Sequence, residues 1–188
     1  MLIVKNIKII FLPIFFCMQN KKSFIIKAII LIVICEVVGV IAGVATSDGV
    51  MNWFQTIEKP FFNPPSWLFA PVWTVLYFLM GLAAALVWHK GTADGELSLF
   101  KMRESNVRNA LFLFNTQLLL NFFWSFLFFK YQMLFLAFIE IITLLGFIVL
   151  TTVHFYRIYK PAGWMMLPYI LWVSFASLLN FSLWWLNK

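Results

Sequence analysis

Residues 53–88 read WFQTIEKPFFNPPSWLFAPVWTVLYFLMGLAAALVW. Four prolines, Pro60, Pro64, Pro65 and Pro71, crowd a short connection that also carries Trp53, Trp67 and Trp73, and the chain is then apolar as far as His89. Proline fixes φ and gives up its backbone donor, so the connection is expected to be stiff. Indoles beside it suit a lipid–water boundary, which satisfies an apolar ring and an N–H tip together. The stretch therefore predicts a rigid aromatic loop at the mouth of a membrane-embedded helix.

Outward from that stretch the composition agrees. The chain is 63% hydrophobic and 11% charged, with 23 phenylalanines, whereas soluble domains carry roughly a quarter charged residues. Lipid is the natural solvent for such a chain. Five apolar stretches, at about 24–45, 68–89, 109–129, 132–156 and 164–186, each supply the ~20 residues that a helix needs to cross the hydrocarbon core. They do not alternate and are about twice too long for barrel strands. The expected fold is an all-α integral membrane protein, a five-transmembrane-helix bundle occupying residues 24–188 behind an N-terminal cytoplasmic extension, residues 1–23.

The net charge of +7 is placed for topology rather than for nucleic acid. Lys5, Lys8, Lys21, Lys22, Lys27, Lys90, Lys101, Arg103, Arg108, Arg157 and Lys160, eleven of the fourteen cations, fall on segments sharing one side of a five-span chain. Lys59, Lys130 and Lys188 fall on the other. The positive-inside rule then puts the N-terminus in the cytoplasm and the C-terminus outside, in a bacterial cytoplasmic membrane. Lys5 and Lys8 ahead of Ile9–Phe16 resemble a signal sequence, but no small-x-small cleavage site follows, so an extension, or a start at Met18, is the simpler reading. Cys17 and Cys35 lack metal or redox spacing. His89 and His154 sit at span ends with no metal-ligand partner, so no metal and no cofactor is expected.

Three polar and aromatic stripes recur at helical spacing. Gln117, Asn121 and Ser125, with Trp124 beside them, share one face of the third span. Trp73, Tyr77 and Gly81 do so on the second; Pro168, Trp172, Ala176 and Asn180 do so on the fifth. Interhelical hydrogen bonding and packing would account for all three. So would one aromatic cavity with a few polar anchors, suited to a large, flat, amphipathic ligand. Glu36 and Glu140 are carboxyls within spans; Glu36 lies beside Gly39 and Gly43, a Gly-x-x-x-Gly pair that reads as helix packing, between subunits included. There is no phosphate loop, nucleophile–base pair or acidic pair.

The wording of these segments resembles a known family. Trp53, Glu58-Lys59-Pro60, Pro64-Pro65-x-Trp67, Ala70-Pro71-Val72-Trp73 and Leu76-Tyr77-x-x-Met80-Gly81, then Gln117 to Ser125 and Leu167-Pro168-Tyr169 to Asn180, are similar to the translocator proteins, also called tryptophan-rich sensory proteins or peripheral benzodiazepine-receptor homologues. The likeness runs from about Lys27 to Trp185. It implies a five-helix bundle, often a homodimer, that binds porphyrins such as protoporphyrin IX and acts in porphyrin handling or stress signalling. Light-dependent porphyrin breakdown through Trp73 and Trp172, or transport of a small hydrophobic solute, are the alternatives. The site residues implied are Trp53, Pro64, Pro65, Trp67, Trp73, Tyr77, Gln117, Asn121, Trp124, Glu140, Pro168, Trp172 and Ala176, with the Pro64-Pro65 loop as a lid. Glu140 stands where relatives often carry an acid. Cholesterol is doubtful, since the last span ends Asn180-Phe181-Ser182-Leu183-Trp184-Trp185, without the tyrosine and arginine of that weak motif.

Overall fold

The computed structural model describes residues 3–92 and 105–188, the side chains of residues 3–20 excepted. Among the described residues the regular structure is entirely helical: α1 (Ile3–Asp48), α2 (Phe54–Thr56), α3 (Phe69–Gly91), α4 (Ser105–Ser125), α5 (Leu134–Ile158), α6 (Lys160–Met165) and α7 (Leu167–Leu186). Five helical segments are long and apolar enough to cross a membrane, namely Lys21–Thr56, Ser66–Gly91, Ser105–Lys130, Leu134–Ile158 and Lys160–Leu186. The molecule is thus a multi-pass membrane protein whose solvent is the bilayer. Its hydroxyls obey that solvent: those of Thr46, Thr74, Thr116, Thr143, Thr151, Thr152 and Ser177 each donate to the carbonyl four residues back. Each of these hydroxyls is thereby satisfied within its own helix.

The first span outruns its expected end at residue 45. Nothing in Thr46–Asp48 breaks a helix, so α1 continues through a π-helical turn, Gly49–Trp53, into α2. The chain leaves helical conformation only at Ile57 (φ −79°, ψ 152°), and the expected 46–66 loop shrinks to 57–65. A second π-helical turn, Phe126–Lys130, extends α4 in the same way, and the two turns meet. Gly49 packs on the Phe129 carbonyl so closely that any Cβ would overlap it. The α4–α5 connection that follows is only Tyr131–Met133, and Gln132 takes a left-handed backbone (φ 57°) to close it. The fifth span is built in two pieces. Met166 donates to the Gly163 carbonyl in a tightened turn, and Pro168 lies in the first turn of α7, where its missing N–H is harmless.

Packing is close in one half of the bundle. α1 lies chiefly on α3, α4 on α5, and α5 on α7 and α6, while α6 reaches back to α3. Ala83, Ala84 and Ala85 are fully buried, and Gly81 sits against the backbone of Ile32 with no room for a Cβ. Small residues thereby bring the two helices into backbone contact, as membrane packing favours. Met80, Val87, Phe114, Ile148 and Phe155 fill the space beside them. The outward face of α1 (Ile29, Val33, Val37, Val40, Ile41, Val44) is exposed and wholly apolar.

Candidate functional site

Toward the Trp67 end the helices part around a cavity of about 450 Å³. α1 contributes Glu36, Gly39, Val40, Gly43, Thr46 and Ser47; its π turn contributes Val50 and Met51, and α2 contributes Phe54. The opposite walls are Phe69, Trp73 and Tyr77 from α3, Asn121, Trp124 and Ser125 from α4, Phe129, and Trp172 and Ala176 from α7. Big rings hold the helices apart. Trp73 lies 5.5 Å from Tyr77 between ring centroids, and Phe69 meets Trp172 edge-on at 5.9 Å. A Cβ built on Gly43 meets nothing within 4 Å, so α1 passes the cavity without filling it. Val40, Met51, Ala70 and Thr74 line the cavity and are also exposed, so it opens along its α1–α3 edge.

A chain of hydrogen bonds braces the floor. The Tyr77 hydroxyl donates to Asn121 Oδ1 (2.5 Å), Asn121 Nδ2 donates to the Tyr169 hydroxyl (3.0 Å), and that hydroxyl donates to Gln117 Oε1 (2.9 Å). Higher up, Trp124 Nε1 donates to Asn180 Oδ1 (3.1 Å) and Asn180 Nδ2 to the Leu134 carbonyl (3.0 Å). Four helices, α3, α4, α5 and α7, are tied together by polar groups that must be satisfied away from water. Asn121 spends one donor and one acceptor in this chain, and an amide has two of each. It therefore keeps capacity toward the cavity.

Six of the residues expected at the site share this cavity: Trp73, Tyr77, Asn121, Trp124, Trp172 and Ala176. Seven do not line it. Gln117 is fully buried behind Tyr169, whose hydroxyl donates to its Oε1 across the helix pair, and its Nε2 has no partner among the described residues. Glu140 lies on α5 with both carboxyl oxygens enclosed and unpartnered. Trp53 packs edge-on against Phe128 (5.9 Å) and supports the π turn from outside. Trp67 is 72% exposed, Pro168 is an exposed helix-start residue, and neither Pro64 nor Pro65 reaches the cavity. The 57–65 connection is instead clasped to the end of α7: Glu58 N–H donates to Asn187 Oδ1 and Asn187 Nδ2 donates back to the Glu58 carbonyl, each at 3.0 Å. Phe62 packs edge-on against Phe175 of α7.

The α1 wall was not among the residues expected at the site; of it, the sequence singles out Glu36, Gly39 and Gly43 as an intramembrane carboxyl beside a packing pair. Of the Gly39/Gly43 pair, Gly39 abuts the Tyr77 ring and Gly43 lines the cavity. At the rim, Lys59 Nζ sits 5.1 Å above the ring of Phe54, itself a wall residue. A second concavity, about 520 Å³ around Arg157 and Lys160, is lined by six consecutive residues of the α5–α6 turn and is a surface notch. Among the described residues no His, Cys, Asp and Glu cluster could hold a metal, and His89 stacks edge-on against Phe24. Cys17 lies outside the described side chains; Cys35 is a buried free thiol. The arrangement can enclose a flat aromatic body between indoles and offer it an amide, hydroxyls and one carboxyl.

Comparison with known proteins returns one consistent answer. Residues 29–186 match the model of the TspO/MBR family. The chain is 40% identical over 169 residues to the tryptophan-rich protein TspO of Chlorobaculum tepidum, covering 90% of this chain and 99% of that one. It is 38% identical over 163 residues to the protein of the same name from Archaeoglobus fulgidus, covering 87% and 98%. The translocator protein of Ovis aries is 33% identical over 137 residues, covering 73% of this chain and 76% of its own.

Proposed function

This chain belongs to the TspO/MBR family, and on that footing we propose that its cavity binds porphyrins and related tetrapyrroles, so that the protein works in porphyrin handling or stress signalling. The observation carrying this reading is the cavity itself. A chamber of about 450 Å³ walled by Trp73, Tyr77, Trp124 and Trp172 matches the size and apolar character of small-molecule sites. Its flat rings suit a flat macrocycle, which gains from stacking beyond simple area burial. A porphyrin's propionates would point to the open rim, where Lys59 supplies the nearby cation and where leaving carboxylates in polar surroundings is least costly.

The test is a titration of the detergent-purified protein with protoporphyrin IX in the dark, read by tryptophan quenching and by the Soret band. Saturable one-to-one binding is expected; a linear, unsaturable response would reject the reading. Trp73 and Trp172 both face the cavity, which favours a second reading in which an excited porphyrin exchanges an electron with an indole and is degraded. Absorbance lost only under illumination, and only while both indoles are present, would favour it over simple binding. The proposal includes N-in, C-out orientation from the cation distribution. Externally added reagent should label a cysteine introduced at the exposed Phe61 of the 57–65 connection but not one at Ser98. It also includes a homodimer, testable by light scattering in detergent, and leaves cholesterol out.

A further inference from the structure

Glu36 has no part in the tetrapyrrole reading. Among the described residues it is the one formally charged residue in the cavity wall. None of the hydrogen bonds bracing the wall reaches it, since they run through Tyr77, Asn121, Tyr169, Trp124, Asn180, Thr46 and Ser47. It also lies deep. From Lys21, where the first membrane-length segment starts, Glu36 is fifteen residues on (36 − 21), or ~22 Å along the helix. An ionisable group at that depth is expensive unless something pairs with it. The chain offers it a cavity instead of a partner.

The surroundings select the sign of what enters. Among the described residues no Lys, Arg or His lines the cavity, and none there favours an anion at the floor. The ring faces of Trp73, Tyr77 and Trp172 carry the negative quadrupole that attracts organic cations. Along the same helix the Tyr77 ring packs on Gly39, and beyond it the cavity wall at Gly43 is open, with nothing within 4 Å of where a Cβ would stand. A carboxylate, indole faces and a gap beside them make a receptor for a positively charged nitrogen on an aromatic body.

We propose that the floor of the cavity at Glu36 binds the ammonium group of a lipophilic aromatic amine, with the aromatic part lying against Trp73 and Trp172. This shares with the tetrapyrrole reading only the premise that the cavity is a ligand site, and it names a second ligand class. Discrimination comes from both directions: the acid attracts an ammonium and repels a carboxylate of the same shape.

Three probes of one shape decide it: 1-pyrenemethylamine, 1-pyrenemethanol and 1-pyrenecarboxylate, titrated against the full-length protein in neutral detergent with tryptophan quenching as the readout. The amine is expected to bind at least tenfold more tightly than the alcohol, and the carboxylate most weakly. In Glu36→Gln the amine should fall to within about twofold of the alcohol, whereas Glu140→Gln, which alters a carboxyl off the cavity, should keep the preference. Gly43→Phe, which fills the cavity, should abolish saturable binding of all three. An amine preference that survives Glu36→Gln, no preference in the unaltered protein, or binding that persists in Gly43→Phe would each overturn the proposal, the last as simple partition into the micelle. Should Glu36→Gln fail to fold by circular dichroism, Glu36→Asp, which keeps the charge, must retain the preference. Protoporphyrin IX is titrated in parallel. If it fails while the amine pattern holds, the tetrapyrrole reading falls and this one stands.

Discussion

Two points on the α1–α3 seam, about three turns of helix apart, behave oppositely. At Gly81 the helices touch backbone to backbone, and a single added carbon has nowhere to go. At Gly43 a Cβ would meet nothing within 4 Å. The sequence explains the contrast through side-chain size. Toward the packed end α3 reads Gly81-Leu82-Ala83-Ala84-Ala85, and small residues let α1 close on it. Toward the hollow end the same helix reads Phe69-Ala70-Pro71-Val72-Trp73, and rings prop the helices apart. The packed half makes the bundle stable; the hollow half, held open by it, is where a ligand can be taken up.

Substitutions can break that contrast. The largest effect is expected from Gly81→Val. It forces α3 away from Ile32 and should destabilise the protein by ~3 kcal/mol or more, the upper range for overpacking, visible as a large fall in thermal midpoint or as loss of monodisperse protein. Gly43→Phe should leave the thermal midpoint nearly unchanged yet weaken protoporphyrin IX tenfold or more, ~1.4 kcal/mol or above. If Gly43→Phe unfolds the protein as Gly81→Val does, the two halves are not distinct. Next, Trp172→Ala should weaken porphyrin binding by about tenfold, since one stacked ring contributes ~1 kcal/mol or more. Trp184→Ala, whose ring packs on Phe135 and Phe181 off the cavity, should change binding less than about twofold. Equal losses would mean that the porphyrin is dissolving against any exposed indole. The smallest effect tests neither half but their α4–α5 hinge. Gln132→Gly should stabilise by ~0.5 kcal/mol, because a left-handed φ of 57° suits glycine better than a residue with a Cβ. An unchanged or lowered midpoint would show that the turn is relaxed already.

The five spans were legible because length and hydropathy suffice to read a membrane helix. The α3, α4 and α7 walls were legible in part, because aromatic and polar residues recur at four-residue spacing among plain apolar ones: Trp73 with Tyr77, Asn121 with Trp124, Trp172 with Ala176. α1 offered no such contrast. Its Ile and Val residues surround the helix, so nothing in the pattern says which face turns inward; packing against α3 decides that, and Glu36 was read as a carboxyl beside a packing pair rather than as cavity wall. Gln117 shared a face with Asn121, yet Tyr169, which arrives from a different helix, covers one and only touches the other. Pro64 and Pro65, expected over the cavity, lie outside its wall. What positions their connection is Asn187, 129 residues away from Glu58, and no local pattern reports a contact of that range.

That long-range clasp has a consequence in time. Spans enter a membrane in the order in which they are translated, and the cavity's last wall, Trp172 and Ala176, belongs to the final span. Glu58 is made early but has to wait for Asn187 before the 57–65 connection acquires its resting place. Until then the four earlier spans form an incomplete chamber, open along the side that α7 will close. Ligand capture is therefore expected to appear abruptly near the end of synthesis, and a ribosome-stalled series of growing chains should gain porphyrin fluorescence only once the last span has cleared the exit tunnel.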